Sequence, residues 1–304
     1  MRGEVAVMTR FVTWMRLNID AVIAIVIAIT AVIVEAIDKT AKLDPVQGAV
    51  LLVLSLLAVT LLRDRNRITR LVRESAAVRL LYGPEIDQAQ ALARRDTDTW
   101  IYKGGTGTYL RAETLPFFLG RVRAEQHLLS LRVEVLDPAD EMLCEVEAQH
   151  RNALRPGGDL NGRPWTTDRI RKQSYATVLA CAWYRAQSEL LTIELALSAV
   201  VTTYRWDMSD SVVIMNQRGS NTPALLFERG KTQYSDLTRE LALSFKQARH
   251  LPLGRDNELR PPAEPGISQV RKLLERLELP LPGIYTDEDV TEIVEYALRP
   301  SNTF

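Results

Sequence analysis

Cysteine and histidine are scarce in this chain of 304 residues, which has two cysteines and three histidines. Cys144 and Cys181 lack the spacing of metal ligands, so we expect both to be reduced and to lie on apolar helix faces. No other grouping of residues indicates a metal centre or a redox cofactor. The sequence therefore predicts a protein that uses no cofactor.

An excess of charge of either sign is also lacking, since 38 Lys and Arg balance 38 Asp and Glu. Proteins that bind a nucleic-acid duplex usually carry a concentration of basic residues, so we expect no duplex partner. Arginine outnumbers lysine 31 to 7, which indicates a GC-rich bacterial genome. No internal repeat or low-complexity tract is evident.

Long apolar runs are confined to the N-terminal part, at residues 18–37 and 46–62. A membrane-spanning helix needs about 20 apolar residues, with a lower limit of ~17, and both runs reach that limit. Arginines flank the pair on both sides, and basic flanks stay in the cytoplasm. We therefore predict a two-pass hairpin in the inner (cytoplasmic) membrane, with both termini cytoplasmic and the lipid bilayer as a partner. A signal peptide and a buried helical pair are the alternatives.

The rest of the chain divides into three parts by composition. Residues 63–98 form a basic stretch that predicts a helical stalk and connector, with an apolar stripe able to pair two copies into a homo-dimer or higher oligomer. Residues 99–250 alternate between strand and helix patterns, which predicts an α/β sheet domain in the cytosol. Residues 251–304 contain a proline-rich linker and a small helical tail. We expect the tail to dock on its own domain or, slightly favoured, on a neighbouring subunit.

A glycine-rich segment follows the first predicted strand of this domain. It runs from Lys103 through Gly105, Thr106 and Gly107 to Arg111. Backbone N–H groups of such a loop can turn toward an anion, and the start of a following helix adds a favourable dipole. The segment lacks both the third glycine of a dinucleotide fingerprint and the Gly-Lys-Ser/Thr end of a Walker loop. Two interpretations of the segment remain open, a tight structural turn and a phosphate site.

A second segment, residues 203–221, carries a familiar pattern. Thr203, Arg205 and Asp210 stand where the phospholipase D-like superfamily has the histidine, lysine and aspartate of its His-x-Lys-x-x-x-x-Asp motif, and Gly-Ser-Asn follows at 219–221. The surroundings are similar too: a strand with a Gly-Thr-Gly turn, a strand ending Leu-Asp-Pro, and a hairpin before a long helix. Residues 99–250 thus resemble a phospholipase D-like domain, and the resemblance implies a phosphate site that includes Arg205 and Asp210.

The motif departs from the family at its nucleophile. Phosphodiester cleavage in that family uses histidine to form a covalent intermediate, and threonine cannot replace it without an adjacent base. No His-x-Lys occurs anywhere in the chain. We therefore predict a pseudo-enzyme that binds ligand without turning it over.

Taken together, these patterns predict a bacterial membrane-anchored sensor or effector in signalling or antiviral defence. Its cytosolic domain would bind a phosphorylated small molecule, such as a cyclic oligonucleotide, or a partner protein. Two alternatives remain open: a membrane-anchored phosphodiesterase or phospholipid hydrolase, and a membrane scaffold that docks a protein partner.

Overall fold

The computed structural model describes residues 78–155, 157–159, 162–217, 222–254 and 265–300, together with residues 50, 54, 57, 60, 61 and 63–65. The chain divides into two compact units, Met1–Ala76 and Ala77–Phe304. Those residues of the first unit that are described are helical.

The membrane prediction is wrong. Among the residues that the structure describes, none belongs to a helix with the length and apolar character needed to cross a bilayer. This finding contradicts the two-pass hairpin and the inner-membrane location derived from it. The helix predicted at 18–37 lies outside the described residues, as does most of 46–62. A run of 17 apolar residues is at the lower limit for a span, and burial within a protein satisfies such a run equally well.

A mixed eight-stranded sheet forms the centre of the second unit. Its order is β1-β7-β6-β5-β2-β3-β4-β8, in which β2, β3 and β4 are parallel and the remaining pairs are antiparallel. The alternation of strands and helices is thus present, although the predicted fold class, which included the hairpin, is wrong. The strands are β1 Arg79–Leu81, β2 Thr99–Lys103, β3 Leu129–Leu136, β4 Leu191–Ser198, β5 Tyr204–Met208, β6 Val212–Gln217, β7 Ala224–Glu228 and β8 Arg249–Leu251.

In the described part of this unit, seven α-helices and one short π-helix pack around the sheet. Side-chain caps start several of them: Asp140, Thr166 and Thr286 each accept a hydrogen bond from the backbone N–H three residues later. The helices are α1 Pro84–Arg95, the π-helix Leu110–Thr114, α2 Leu115–Glu125, α3 Glu141–Leu154, α4 Thr167–Ala186, α5 Thr232–Gln247, α6 Ile267–Arg276 and α7 Asp287–Leu298.

The sequence predicts a helix over residues 63–81 and predicts Thr114 as the N-cap of the helix at 115–125. Both local predictions are wrong. The stalk helix was expected to reach Leu81, but residues 79–81 form β1, where Leu81 is fully buried and pairs with Ala224. Sheet pairing overrides helix propensity here. Thr114, expected to cap α2, has helical dihedrals and makes no capping bond, because the π-helix leads directly into α2.

Helix α4 lies at the centre of the core, and 13 of its 20 residues are buried. It packs against the sheet face that carries Trp100 and Val133, while α5 covers the opposite face with Leu241. Both cysteines are free and buried, and burial raises the pKa of each thiol to about 12. Low reactivity follows, because the thiolate is the reactive form.

The C-terminal tail packs on its own domain, so the slightly favoured docking on a neighbouring subunit is wrong. Val270, Leu274, Val290 and Ile293 are fully buried and belong to the same core as the sheet and α4. In addition, the Tyr175 hydroxyl of α4 donates a hydrogen bond to the Pro280 carbonyl at 2.9 Å. The apolar residues of α6 and α7 are therefore buried within the unit that carries them.

Lys172 of α4 holds the C-terminal tail by ion pairs, and we expect Lys172→Met to weaken the packing of the tail on its domain. Its ammonium lies 2.6 Å from Asp289, 2.7 Å from Glu292 and 3.1 Å from Asp168, so the substitution leaves three carboxylates facing one another. The thermal unfolding midpoint should fall by about 2–4 °C, the shift that ~1 kcal/mol causes in a domain of this size.

The pH dependence checks the same contact. Hydrogen bonds from Lys172 and Thr286 lower the pKa of Asp289 from 3.8 to about 2. A lowered pKa in the folded state stabilises above the unfolded value, so this contribution is complete above pH 3.8 and is lost as the pH falls toward 2. In Lys172→Met, the stability of the protein should fall less as the pH is lowered from 3.8 toward 2. A thermal unfolding midpoint at neutral pH equal to that of the wild type would show that Lys172 does not stabilise the tail.

Candidate functional site

The candidate site lies where the parallel strands end. Strands β2, β3 and β4 leave the sheet at one edge, and β5 starts there because it runs antiparallel to β2, with Lys103 opposite Trp206. Strand β6 ends at the same edge, where Asn216 is opposite Arg205. In open α/β sheets, ligands bind beyond the carboxyl ends of the parallel strands.

Arg205 is the central residue of this edge. Its Nε donates a hydrogen bond to Oδ2 of Asp207 at 2.7 Å, since residues two apart on a strand share a face. Asp207 is fully buried, and Gln90 donates to the same oxygen at 3.3 Å. Burial raises the pKa of Asp207, and the adjacent Arg205 opposes that rise. Asp207 therefore holds the guanidinium of Arg205 in one orientation.

The aromatic ring of Tyr109 packs against the same guanidinium. The Arg205 guanidinium carbon lies 3.9 Å from the centre of the Tyr109 ring, a cation–π contact. Arg94 of α1 donates a hydrogen bond to the Tyr109 hydroxyl at 2.9 Å. Burial raises the pKa of this hydroxyl, so Tyr109 is neutral at physiological pH. The cluster thus holds two guanidinium groups and a single carboxylate, that of Asp207.

The outer end of Arg205 has no hydrogen-bond partner among the residues that the structure describes. Its side chain is 17% exposed, and within the described part of the chain its two terminal nitrogens have no hydrogen-bond partner. A guanidinium held at Nε presents those two nitrogens as a planar fork, the geometry that engages two oxygens of a phosphate. The local excess of positive charge favours an anion at this position.

The glycine loop next to this cluster is anchored at several points. The Gly105 carbonyl accepts a hydrogen bond from the backbone of Leu136 at 3.0 Å. The Thr106 carbonyl accepts one from Thr177 of α4 at 2.6 Å. Gly107 has φ of +71°, and a Cβ there would lie 2.7 Å from the Thr177 side chain, so glycine is required.

Arg111 lies in the π-helix after the loop and is fully buried. It donates to the Gln173 carbonyl at 2.7 Å, to the Gln173 side-chain oxygen, and to the Thr108 hydroxyl at 3.4 Å. Burial lowers its pKa to about 9. No ion pair with a carboxylate is formed by Arg111 among the described residues. π-Helical turns are frequent at functional sites, and this one places a guanidinium beneath the loop.

Two of the predicted phosphate ligands lie elsewhere. Lys103 faces α5, where it lies 3.2 Å from Glu134 and donates to Ser244. Asp210 accepts hydrogen bonds from the Thr97 hydroxyl and two backbone N–H groups just before and at the start of β2, at 2.8–3.2 Å. Both act in the structure of the sheet. The structure brings Gly105, Thr106, Gly107, Arg111 and Arg205 together at the carboxyl edge, and the Gly-Ser-Asn element at 219–221 is outside the described residues.

Several residues of the site were missed from sequence. Two of them had a usable signal: Asp207 shares a strand face with Arg205, and Tyr109 lies within the glycine segment. Gln90 and Arg94 are spaced i, i+4 on α1, yet nothing in the sequence says which strand that helix covers. In the part of the chain that the structure describes, no group of His, Cys, Asp and Glu is arranged to hold a metal ion.

Comparison with known proteins gives no relative: no protein-family model matches the chain, and no curated protein is significantly similar to it.

Proposed function

We propose that residues 99–250 form a catalytically degenerate phospholipase D-like domain that binds a phosphorylated small molecule. The arrangement of elements supports the resemblance. Strand β2 runs into the Gly-Thr-Gly turn, β3 ends at Leu136 before Asp137-Pro138, and the β6–β7 hairpin precedes the long helix α5. These are the features by which the sequence resembles that family.

One observation carries the binding proposal: the fork of Arg205 is oriented by a buried carboxylate and has no partner among the described residues of the sheet edge. The Nε of Arg205 is held by Asp207, its face rests on Tyr109, and its terminal nitrogens face no described partner. A surface arginine would be free to move and would gain little from binding an anion, because ordering it costs side-chain entropy. Here that entropy is already lost in the folded state.

The positions of the histidines favour binding over turnover. Thr203, at the family's nucleophile position, is exposed just before β5. His127 lies 3.1 Å from Asp98, and the ring of His250 packs against Phe245, so both are engaged away from Arg205. His150 belongs to α3. None of the three histidines therefore stands at the family's nucleophile position, which Thr203 occupies.

The predicted role as a membrane effector in signalling or antiviral defence depended on the transmembrane hairpin, and the hairpin prediction is wrong. What remains is a binding module whose ligand has a phosphate or phosphodiester group. Cyclic dinucleotides and inorganic phosphate are suitable probes, since both present oxygens of the right spacing to an arginine fork.

We expect Arg205→Ala to weaken binding of these probes by roughly 10-fold to 100-fold, corresponding to ~1.5–3 kcal/mol for a hydrogen bond to a charged group. Isothermal titration calorimetry measures the affinity, and thermal unfolding monitors the fold. Arg205→Lys should recover only part of the affinity, because a lysine keeps the charge but loses the planar fork. Arg239→Ala is the matched control, since Arg239 is exposed and, among the described residues, forms an ion pair with Asp236 of α5 alone.

Two results would contradict this function. Equal affinities of the wild type and Arg205→Ala for every probe would remove Arg205 from the site. Hydrolysis of a phosphodiester substrate by the purified wild type, lost on substitution of a residue at the carboxyl edge, would establish the enzyme instead.

A further inference from the structure

A second positive cluster lies on the other side of the glycine loop. Arg111 is fully buried without a carboxylate among its described partners, and its neighbour Arg151 contributes to lowering its pKa. Arg151 is bonded to Glu147 through Nε at 2.8 Å and to the Thr106 hydroxyl through Nη2 at 2.8 Å. This cluster thus brings two guanidinium groups together beside the carboxylate of Glu147.

Gln173 is the informative residue of this cluster. Its side chain faces the guanidinium of Arg111. Burial of a guanidinium is unfavourable unless a negative charge compensates it, so a glutamate at this position would stabilise the fold better than a glutamine. A neutral amide there leaves the positive charge of Arg111 uncompensated. The hydroxyls of Thr106 and Thr108 lie 3.2 Å apart beside it and supply further polar groups.

The two clusters are close to each other. Arg111 and Arg205 both interact electrostatically with the phenol of Tyr102. The consecutive loop residues Thr108 and Tyr109 contact Arg111 and Arg205 respectively. The glycine loop therefore runs between two sites of excess positive charge, only a few residues apart.

From this juxtaposition we infer that the ligand carries two anionic groups, as a diphosphate ester does. Arg205 engages the first group, and the Arg111 and Arg151 side of the loop, with the hydroxyls of Thr106 and Thr108, attracts the second. This inference rests on the proposed function and adds the class of ligand to it.

Inorganic pyrophosphate and orthophosphate test the inference directly. The wild type should bind pyrophosphate about 10-fold or more tightly than orthophosphate, which is the gain expected from one additional charged hydrogen bond. Gln173→Glu should abolish this preference, because it places the missing negative charge beside Arg111. It should also raise the thermal unfolding midpoint, because it gives the buried guanidinium of Arg111 a counter-charge.

Gln187→Glu provides the matched control. Its side-chain oxygen accepts a hydrogen bond from Arg123 at 3.2 Å on the exposed surface, so it makes the same chemical change beside an arginine away from the loop. The pyrophosphate preference should be intact in this variant. Arg151→Gln gives a second, independent route, since it removes a positive charge from the cluster and should also reduce the preference.

The outcomes separate this inference from the proposed function. Equal binding of both anions by the wild type, with Arg205→Ala still losing orthophosphate, would overturn the second subsite and keep the first. A pyrophosphate preference that persists in both Gln173→Glu and Arg151→Gln would also overturn it. Absence of binding of either anion and of cyclic dinucleotides to the wild type would overturn the proposed function itself.

Discussion

Asp207→Leu is expected to lower the free energy of unfolding by about 3–5 kcal/mol, the cost of removing one partner of a buried ion pair. Asp207 is fully buried, and the guanidinium of Arg205 would remain beneath the carboxyl edge without its counter-charge. Gln90 would lose its acceptor as well. Equilibrium unfolding in urea measures the effect as a lower transition midpoint at an unchanged slope.

A double substitution provides the control for this prediction. Replacing both members of a buried pair by apolar residues is often neutral or stabilising, so Arg205→Met with Asp207→Leu should recover most of the lost stability. The direction of the pKa shift of Asp207 is consistent with this recovery. Burial raises that pKa, and so disfavours the charged form of the carboxyl group, by more than the adjacent Arg205 lowers it. If the Asp207→Leu protein is as stable as the wild type, the pair does not orient the fork as we infer.

The second large effect is expected at Gly107. Gly107→Val forces a β-branched residue into φ of +71° and places its Cβ 2.7 Å from two atoms of the Thr177 side chain. Strain at a left-handed position costs about 1–3 kcal/mol and overpacking a similar amount, so we expect a loss of ~2–5 kcal/mol. Displacement of the loop should also weaken phosphate binding, which calorimetry on the folded fraction would detect.

Gly120→Val is the corresponding control. Gly120 lies in α2, is exposed, and has open space around the position of an added Cβ. Glycine in a helix interior is less favourable than valine by a few tenths of a kcal/mol, so this variant should be neutral or slightly more stable. If Gly107→Val and Gly120→Val lower the free energy of unfolding by similar amounts, the positive φ and the contact with Thr177 do not require glycine at position 107.

The local periodicity of the chain was sufficient to predict most elements of the sheet domain. Leu131, Val133 and Val135 alternate with charged residues, and they form the buried side of β3. The glycine segment and Arg205 were also identified from sequence, because a turn after a strand and a near-match to a known motif are patterns of neighbouring residues. Lys103 belongs to the same segment, but the alternation of a strand places it on the opposite face from Tyr102.

Contacts between distant parts of the chain were decided only by the tertiary structure. Gln90 and Arg94 reach the site because α1 crosses the face of the sheet that carries Asp207, more than a hundred residues later. Residues 79–81 became a strand for the same reason, since their partner is β7. Such pairings depend on the free energy of the whole fold, which no window of the sequence contains.

Apolar composition was the least decisive signal. The sequence by itself determined that residues 18–37, residues 46–62 and the tail must remove apolar surface from water, because exposing it is unfavourable. The hydrophobic effect is not directional, however, and it does not specify whether lipid, a second subunit or the same domain provides the cover. Only the tertiary structure shows that the apolar residues of α6 and α7 are buried against their own domain. They pack in the same core as α4, and Lys172 of α4 forms ion pairs with carboxylates of the tail.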